Sequence, residues 1–344
     1  MRAAIYGAGN IGRGFIGMLL AESGYDVTFV EADQKLVEML NESGRYPVRT
    51  LNEEGGSDIW VEGVSAICAS DTDAVVAYLA TADIAATAVG ARALERVAPL
   101  IAEGLSLRYT ATEQGAVSPI NILICENLPD AGKTLAKWVS DAAPGSRERS
   151  LIAENTGFVE TSIGRMTPVQ SDEMKDGNPL RISAEPYSAL PVDADAFKGP
   201  IPDIKGMEPH GDFSYYTKRK LYIHNMGHAT CAYLGLGKGY RYISEAIRDE
   251  GIRYIVEGAM KESAEALSMI YGSGREELMR HVDDLISRFG NRALGDTCER
   301  VGVDVTRKLG PSERFEGAVA MCREAGVECP NIEEGMAAAR RAAV

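Results

Sequence analysis

Little in this 344-residue chain speaks for a metal, a disulfide, a membrane or a nucleic acid. Histidine is scarce, four in all, and His210 and His281 show no ligand-type spacing, so no metal site is expected. The six cysteines (Cys68, Cys125, Cys231, Cys298, Cys322 and Cys329) form no C-x-x-C and no zinc pattern. Free thiols in a reducing, cytoplasmic setting are the expected state. No apolar run reaches the ~18 residues of a membrane span. Met1 leads directly into a short strand and a glycine loop, which leaves no place for a signal peptide. Positive charge is also short: the net charge is −14. That disfavours non-specific binding to nucleic acid or anionic membrane, and an anionic substrate would need a local basic pocket. The expected ligand is therefore a small molecule, and the expected assembly a monomer or small homo-oligomer. Internal repeats are lacking too, and the C-terminal end, from residue 335, is an Ala/Arg-rich helix rather than a low-complexity tail.

What is present begins at the N-terminus. Ala3–Tyr6 reads as a buried strand, followed by Gly7-Ala8-Gly9-Asn10-Ile11-Gly12, an apolar helical run from Phe15 to Leu20, and a second strand, Asp26–Val30, ending at Glu31. A G-x-G-x-x-G in this setting predicts a Rossmann-type dinucleotide site. Gly7 permits the tight turn, Gly9 admits the pyrophosphate and Gly12 lets helix and strand pack. The helix N-terminus offers N–H groups and partial positive charge to the phosphates. Glu31 is placed to accept both ribose hydroxyls and to repel a 2′-phosphate, which predicts NAD rather than NADP.

The α/β alternation continues through a small-residue strand, Ala82–Val89, ending at Gly90, a helix from Ala93, and the apolar strand Ile120–Cys125 followed by Glu126 and Asn127. Ligands gather at strand carboxyl ends in such sheets, so Val89, Gly90 and Asn127 are site candidates. Seven of the fourteen prolines fall between 168 and 209, which predicts an irregular or strand-rich stretch. From about 216 the pattern is helical, with apolar stripes over 252–267 and 278–289. The expected organisation is an α/β fold: a Rossmann-type NAD-binding domain with its irregular extension over 1–195, and a mostly α-helical substrate-binding and catalytic domain over 196–344.

Within the second domain, Lys220-Leu-Tyr-Ile-His-Asn225-Met-Gly-His228 concentrates a cation, an amide and an imidazole. On an α-helix at ~100° per residue these three fall at about 0°, 140° and 80°, near enough to share one cleft. The groups suit hydride transfer from an alcohol: a base for the hydroxyl proton, an amide donor for the alkoxide and a ring N–H to orient a sugar. His224 reads as a packed or solvent-facing ring.

These motifs resemble the polyol-specific long-chain dehydrogenases, the mannitol dehydrogenase family. The resemblance runs through Tyr6–Gly17, Thr87-Ala-Val-Gly90, Cys125-Glu-Asn127, Glu154-Asn-Thr-Gly-Phe-Val159, Arg219-Lys-Leu221, Asn225-x-Gly-His-Ala229, Ala232-Tyr-Leu-Gly235 and Asp296-Thr-x-Glu-Arg-Val-Gly302. Met226 and His224 depart from the residues usual around the motif, and the chain is shorter at its C-terminal end than is typical. The resemblance implies that Lys220 is the general base, that Asn127 and Asn225 form an oxyanion hole, that His228 positions the substrate, and that no metal takes part. The segment Gly12-Arg-Gly-Phe-Ile-Gly17 implies the branch acting on a phosphorylated polyol, interconverting mannitol 1-phosphate and fructose 6-phosphate. Arg300, Arg307 and Lys308 are the basic candidates for its phosphate. The alternatives are a dehydrogenase of a free polyol or hexuronate, a non-catalytic NAD(H)-binding redox sensor, and another enzyme of Rossmann-plus-helical build.

Overall fold

A computed structural model describes residues 1–52, 56–111, 118–272 and 274–343. The chain divides into two compact units, Met1–Leu51 with Gly56–Phe213, and a second that contains Ser214–Val344.

The first unit is built on a six-stranded parallel sheet. Its strands are β1 (Arg2–Tyr6), β2 (Asp26–Glu31), β5 (Val64–Cys68), β6 (Ile84–Thr87), β7 (Ile120–Ile124) and β8 (Thr156–Glu160), in the order β5-β2-β1-β6-β7-β8. The order reverses between β1 and β6, the switch point at which open parallel sheets leave a crevice. Side chains alternate between the faces: Ala3, Ile5, Val27 and Phe29 enter one core, Ala4, Tyr6 and Val30 the other. Burial on both faces is why these strands read as unbroken apolar runs.

A three-stranded sheet, β4 (Ser57–Glu62), β3 (Arg45–Thr50) and β9 (Ile182–Ala184), belongs to the same unit. So does a parallel pair, β10 (Leu190–Asp193) with β11 (Met207–His210). That pair ties residues beyond 195 to the first compact unit, which runs on to Phe213.

The helix after the glycine loop departs from the α-helical expectation. Gly12–Gly17 forms a π-helix before Met18–Glu22 continues as α. Its small residues are closely packed. A methyl on Gly17 would stand 2.7 Å from Tyr46 Oη, 2.8 Å from Phe29 Cζ and 2.9 Å from the Gly12 carbonyl.

The second unit is helical throughout. Its long members are Met226–Lys238, Glu250–Tyr271, Arg275–Phe289, Glu316–Ala325 and Pro330–Ala342. The apolar stripes lie inward on Glu250–Tyr271 (Ile252, Val256, Ala259, Met260, Ser263, Leu267) and on Arg275–Phe289 (Leu278, Val282, Leu285, Ile286, Phe289). Among the described residues no helix is long and apolar enough to cross a membrane.

Candidate active site

In the first unit the expected cofactor residues cluster at the carboxyl edge of the sheet. Gly7 has φ +97°, and a methyl there would lie 2.6 Å from the Ala88 carbonyl oxygen, so the turn demands glycine. A methyl on Gly12 would be driven to 2.0 Å from the Gly7 carbonyl oxygen, whereas on Gly9 it would meet nothing within 4 Å. The space beside the loop is thus open at Gly9. Ala8 is buried, Asn10 donates to the Pro168 carbonyl at 3.1 Å, and Ile11 caps the π-helix.

Glu31 ends β2 with its carboxylate fixed by three backbone N–H groups: Ala8 at 2.8 Å on Oε2, Ala32 at 2.7 Å and Asp33 at 3.0 Å on Oε1. A carboxylate has about four acceptor positions, so these three bonds leave about one.

Glu126 was not singled out in the sequence. Its side chain is 6 % exposed, and it accepts from Thr87 Oγ1 at 2.6 Å and from the Val89 N–H at 3.0 Å. Burial raises its pKa against the opposing effect of those bonds. It ties the end of β6, with Val89 and Gly90, to the end of β7. The only signal in the sequence was its place between Cys125 and Asn127, an acid closing an apolar strand. Asn127 itself is exposed on the loop after β7.

Arg13, inside the glycine-rich segment, is also buried. It donates to the carbonyls of Ala8 and Leu180, both at 2.6 Å, and its own carbonyl accepts from Tyr46 Oη at 2.8 Å. Gly12–Gly17 is thus a packing device of the first unit, and Arg13 is spent on backbone carbonyls within it.

In the second unit the Lys220 motif does not lie on a plain α-helix. Arg219–Asn225 is π-helical, and α-geometry resumes at Met226. Bonding from i to i+5 puts more residues in each turn, so Lys220 and Asn225 come about one turn apart, closer to one face than the α-helical 140° allows. His228 follows Asn225 at i+3 on the α-helix. Lys220 is half-buried, and the Asn225 Nδ2 is buried without a hydrogen-bond partner. The neighbouring cations rest on aromatic rings, Lys218 5.1 Å from the Tyr271 centroid and Arg219 4.7 Å from that of Tyr216.

The His228 ring stacks on Phe289, centroids 4.9 Å apart at 14°. Its Nε2 is buried and lies 3.0 Å from Asp296 Oδ2, off the axis of a hydrogen bond. Asp296 holds Arg300 on its other oxygen, with the guanidinium at 2.6 and 2.7 Å. Burial alone would raise the Asp296 carboxyl, and the His228 and Arg300 partners outweigh it and hold the group below its usual range. His224 is a packed ring, 5.8 Å from Phe289. Its pKa is pushed well below the usual imidazole range by burial, then by Arg288, His228, His281 and Lys220.

Of the three cations expected to hold a phosphate, Arg300 joins the His228–Asp296 group. Arg307 pairs with Glu313 at 2.8 Å. Lys308 is 4 % exposed and donates to the carbonyls of Val301 and Val303, and burial followed by the nearby Arg314 and Arg307 lowers its pKa to about 8. An ammonium has three N–H groups, so one remains for a ligand. Among the described residues there is no group of three or more His, Cys, Asp or Glu that could hold a metal ion.

Residues 1–206 match the mannitol dehydrogenase Rossmann domain, and residues 212–341 match the mannitol dehydrogenase C-terminal domain. The fold is similar to that of Pseudomonas fluorescens mannitol 2-dehydrogenase, solved as a ternary complex with NAD and D-mannitol. The TM-score is 0.80 at 18 % identity, over 98 % of this chain and 78 % of that one. D-sorbitol dehydrogenase is similar at a TM-score of 0.80 and 19 % identity, over 98 % of this chain and 79 % of that one. A 2-dehydropantoate 2-reductase from Geobacter metallireducens GS-15 is more distant, with a TM-score of 0.55 at 15 % identity over 99 % of this chain and all (100 %) of that one. With both of its halves matched in order, this chain belongs to the mannitol dehydrogenase family.

Proposed function

We propose that the chain is an NAD-dependent oxidoreductase that interconverts mannitol 1-phosphate and fructose 6-phosphate, with Lys220 as general base. The observation that carries the reading is the pairing, on one π-helical segment, of Lys220 with an Asn225 amide whose buried Nδ2 has no partner. A buried donor left unpaired costs about 1–3 kcal/mol, a cost repaid where the donor meets an oxygen that gains negative charge during reaction.

When bound, NAD supplies the hydride acceptor for the alcohol carbon. The loop Gly7–Gly12, open at Gly9, holds its diphosphate, Glu31 takes a ribose hydroxyl, and Val89 and Gly90 line the nicotinamide side. Lys220 removes the hydroxyl proton, Asn225 and Asn127 donate to the alkoxide oxygen, and His228 orients the polyol. Arg300, Arg307 and Lys308 are the candidates for the phosphate. In this reading residues 1–195 serve the cofactor and 196–344 the substrate, in a cytoplasmic enzyme. The test is product identification: NAD with mannitol 1-phosphate should yield NADH and fructose 6-phosphate in equal amounts, and no turnover would refute the reading.

A second reading, oxidation of a free polyol or reduction of a hexuronate, is favoured by the state of the basic residues. Arg300, Arg307 and Lys308 each already have a carboxylate or carbonyl partner in their own unit. It is also the chemistry named for the mannitol 2-dehydrogenase and sorbitol dehydrogenase relatives.

A further inference from the structure

Asp296 sits where the backbone is pinned on both sides. Its carbonyl accepts from the Ile243 N–H at 2.9 Å, and Thr297 next to it bridges Tyr242. Its side chain is 9 % exposed, with Arg300 on Oδ1 and His228 Nε2 3.0 Å from Oδ2. His228 is held from its other sides by the stacked Phe289 ring and by His224, whose centroid lies 6.2 Å away. Nε2 is the ring nitrogen buried beside this carboxylate.

We infer that Asp296 is a positioning residue that keeps the His228 proton on Nε2, so that the ring presents Nδ1 to the substrate as a hydrogen-bond acceptor rather than a donor. The site would then select a hydroxyl that can donate. This rests on the polyol-oxidising reading for its kinetic consequence, although the proton's position can be measured without it.

The test is ¹⁵N NMR of the full chain at pH 8, where four histidines keep the spectrum readable and His228→Gln assigns the signal. The wild type should carry its proton on Nε2, and Asp296→Asn should populate the Nδ1–H form. In parallel, Asp296→Asn should lower kcat/KM for the polyol on the order of 10-fold, the loss of one hydrogen bond to a charged group, with NADH affinity unchanged. The Asp296→Asn, His228→Gln double variant should be no slower than His228→Gln alone within about 2-fold. A wild-type ring protonated on Nδ1 would overturn the inference, and so would an unchanged tautomer in Asp296→Asn or additive losses in the double variant. Should Asp296→Asn not fold, the wild-type spectrum decides. A chain that turns over no polyol would refute the proposed function and leave the tautomer result standing.

Discussion

Buried amide nitrogens are usually paired, and the Asn225 Nδ2 meets no partner among the described residues. Its value lies in what it meets during turnover, so Asn225→Ala should lower kcat by ~10²–10³-fold, the scale of one lost oxyanion donor. Lys220→Ala should lower kcat for alcohol oxidation by ~10²–10⁴-fold, as for other positioned acid–base groups. Small primary amines should restore part of the Lys220→Ala rate and none of the Asn225→Ala rate, because only the first lacks a proton acceptor. Near-normal turnover by Lys220→Ala would remove that residue from the chemistry. At the other end of the chain, Glu31 should make NAD(H) preferred over NADP(H) by at least ~10-fold in kcat/KM, since a phosphate dianion beside a carboxylate costs upwards of ~1.4 kcal/mol. Glu31→Ser should narrow that gap, and equal use of both cofactors by the wild type would show that Glu31 does not face the ribose.

Two π-helical segments, Gly12–Gly17 and Arg219–Asn225, carry the residues that drew attention in the sequence. Gly17 is crowded on three sides. A methyl there meets Tyr46, Phe29 and the Gly12 carbonyl, so Gly17→Ala should cost ~1–3 kcal/mol in urea unfolding, the range for overpacking. An unchanged midpoint would mean that the aromatic rings give way freely. Neither π segment was legible in the sequence, because apolar periodicity reports which face is buried and an inserted residue in one turn barely shifts it. The strands were legible because parallel strands buried on both faces have to be apolar throughout. The glycine loop was legible because its turn admits no side chain at Gly7. Glu126 and Asp296 were not, although both stood inside quoted motifs, since a partner such as Thr87 or His228 is brought to them only by folding. For the same reason the burial of Lys308 was not legible.

On the scale of the whole chain, buried histidines and buried acids pull stability in opposite directions with pH. Burial, then Arg219 and Arg288, press His281 down to about 3, and His224 lies well below its usual value. Both are bases depressed by folding. Their contribution is intact above about pH 6.5 and is lost as pH falls from there towards the folded values, by up to ~1.4 kcal/mol per pH unit for each proton taken up. Glu126 and Glu160 are raised by burial, so they favour the fold below their usual range and lose that contribution as pH rises through it. From pH 7 down to pH 5 the thermal midpoint of His281→Gln should therefore rise relative to that of the wild type; an unchanged difference over that interval would contradict a neutral His281 in the fold. The −14 charge bears on the substrate, because an acidic chain can hold a sugar phosphate only by a local arrangement of cations. Such a preference should weaken at high salt if it is electrostatic. The most direct test of the account is the kcat/KM for NADH-dependent reduction of fructose 6-phosphate against fructose and fructuronate at pH 7. The account predicts that the phosphate ester is the better substrate by well over ~10-fold, on the order of one charged contact or more; equal or faster reduction of fructose or fructuronate would contradict it.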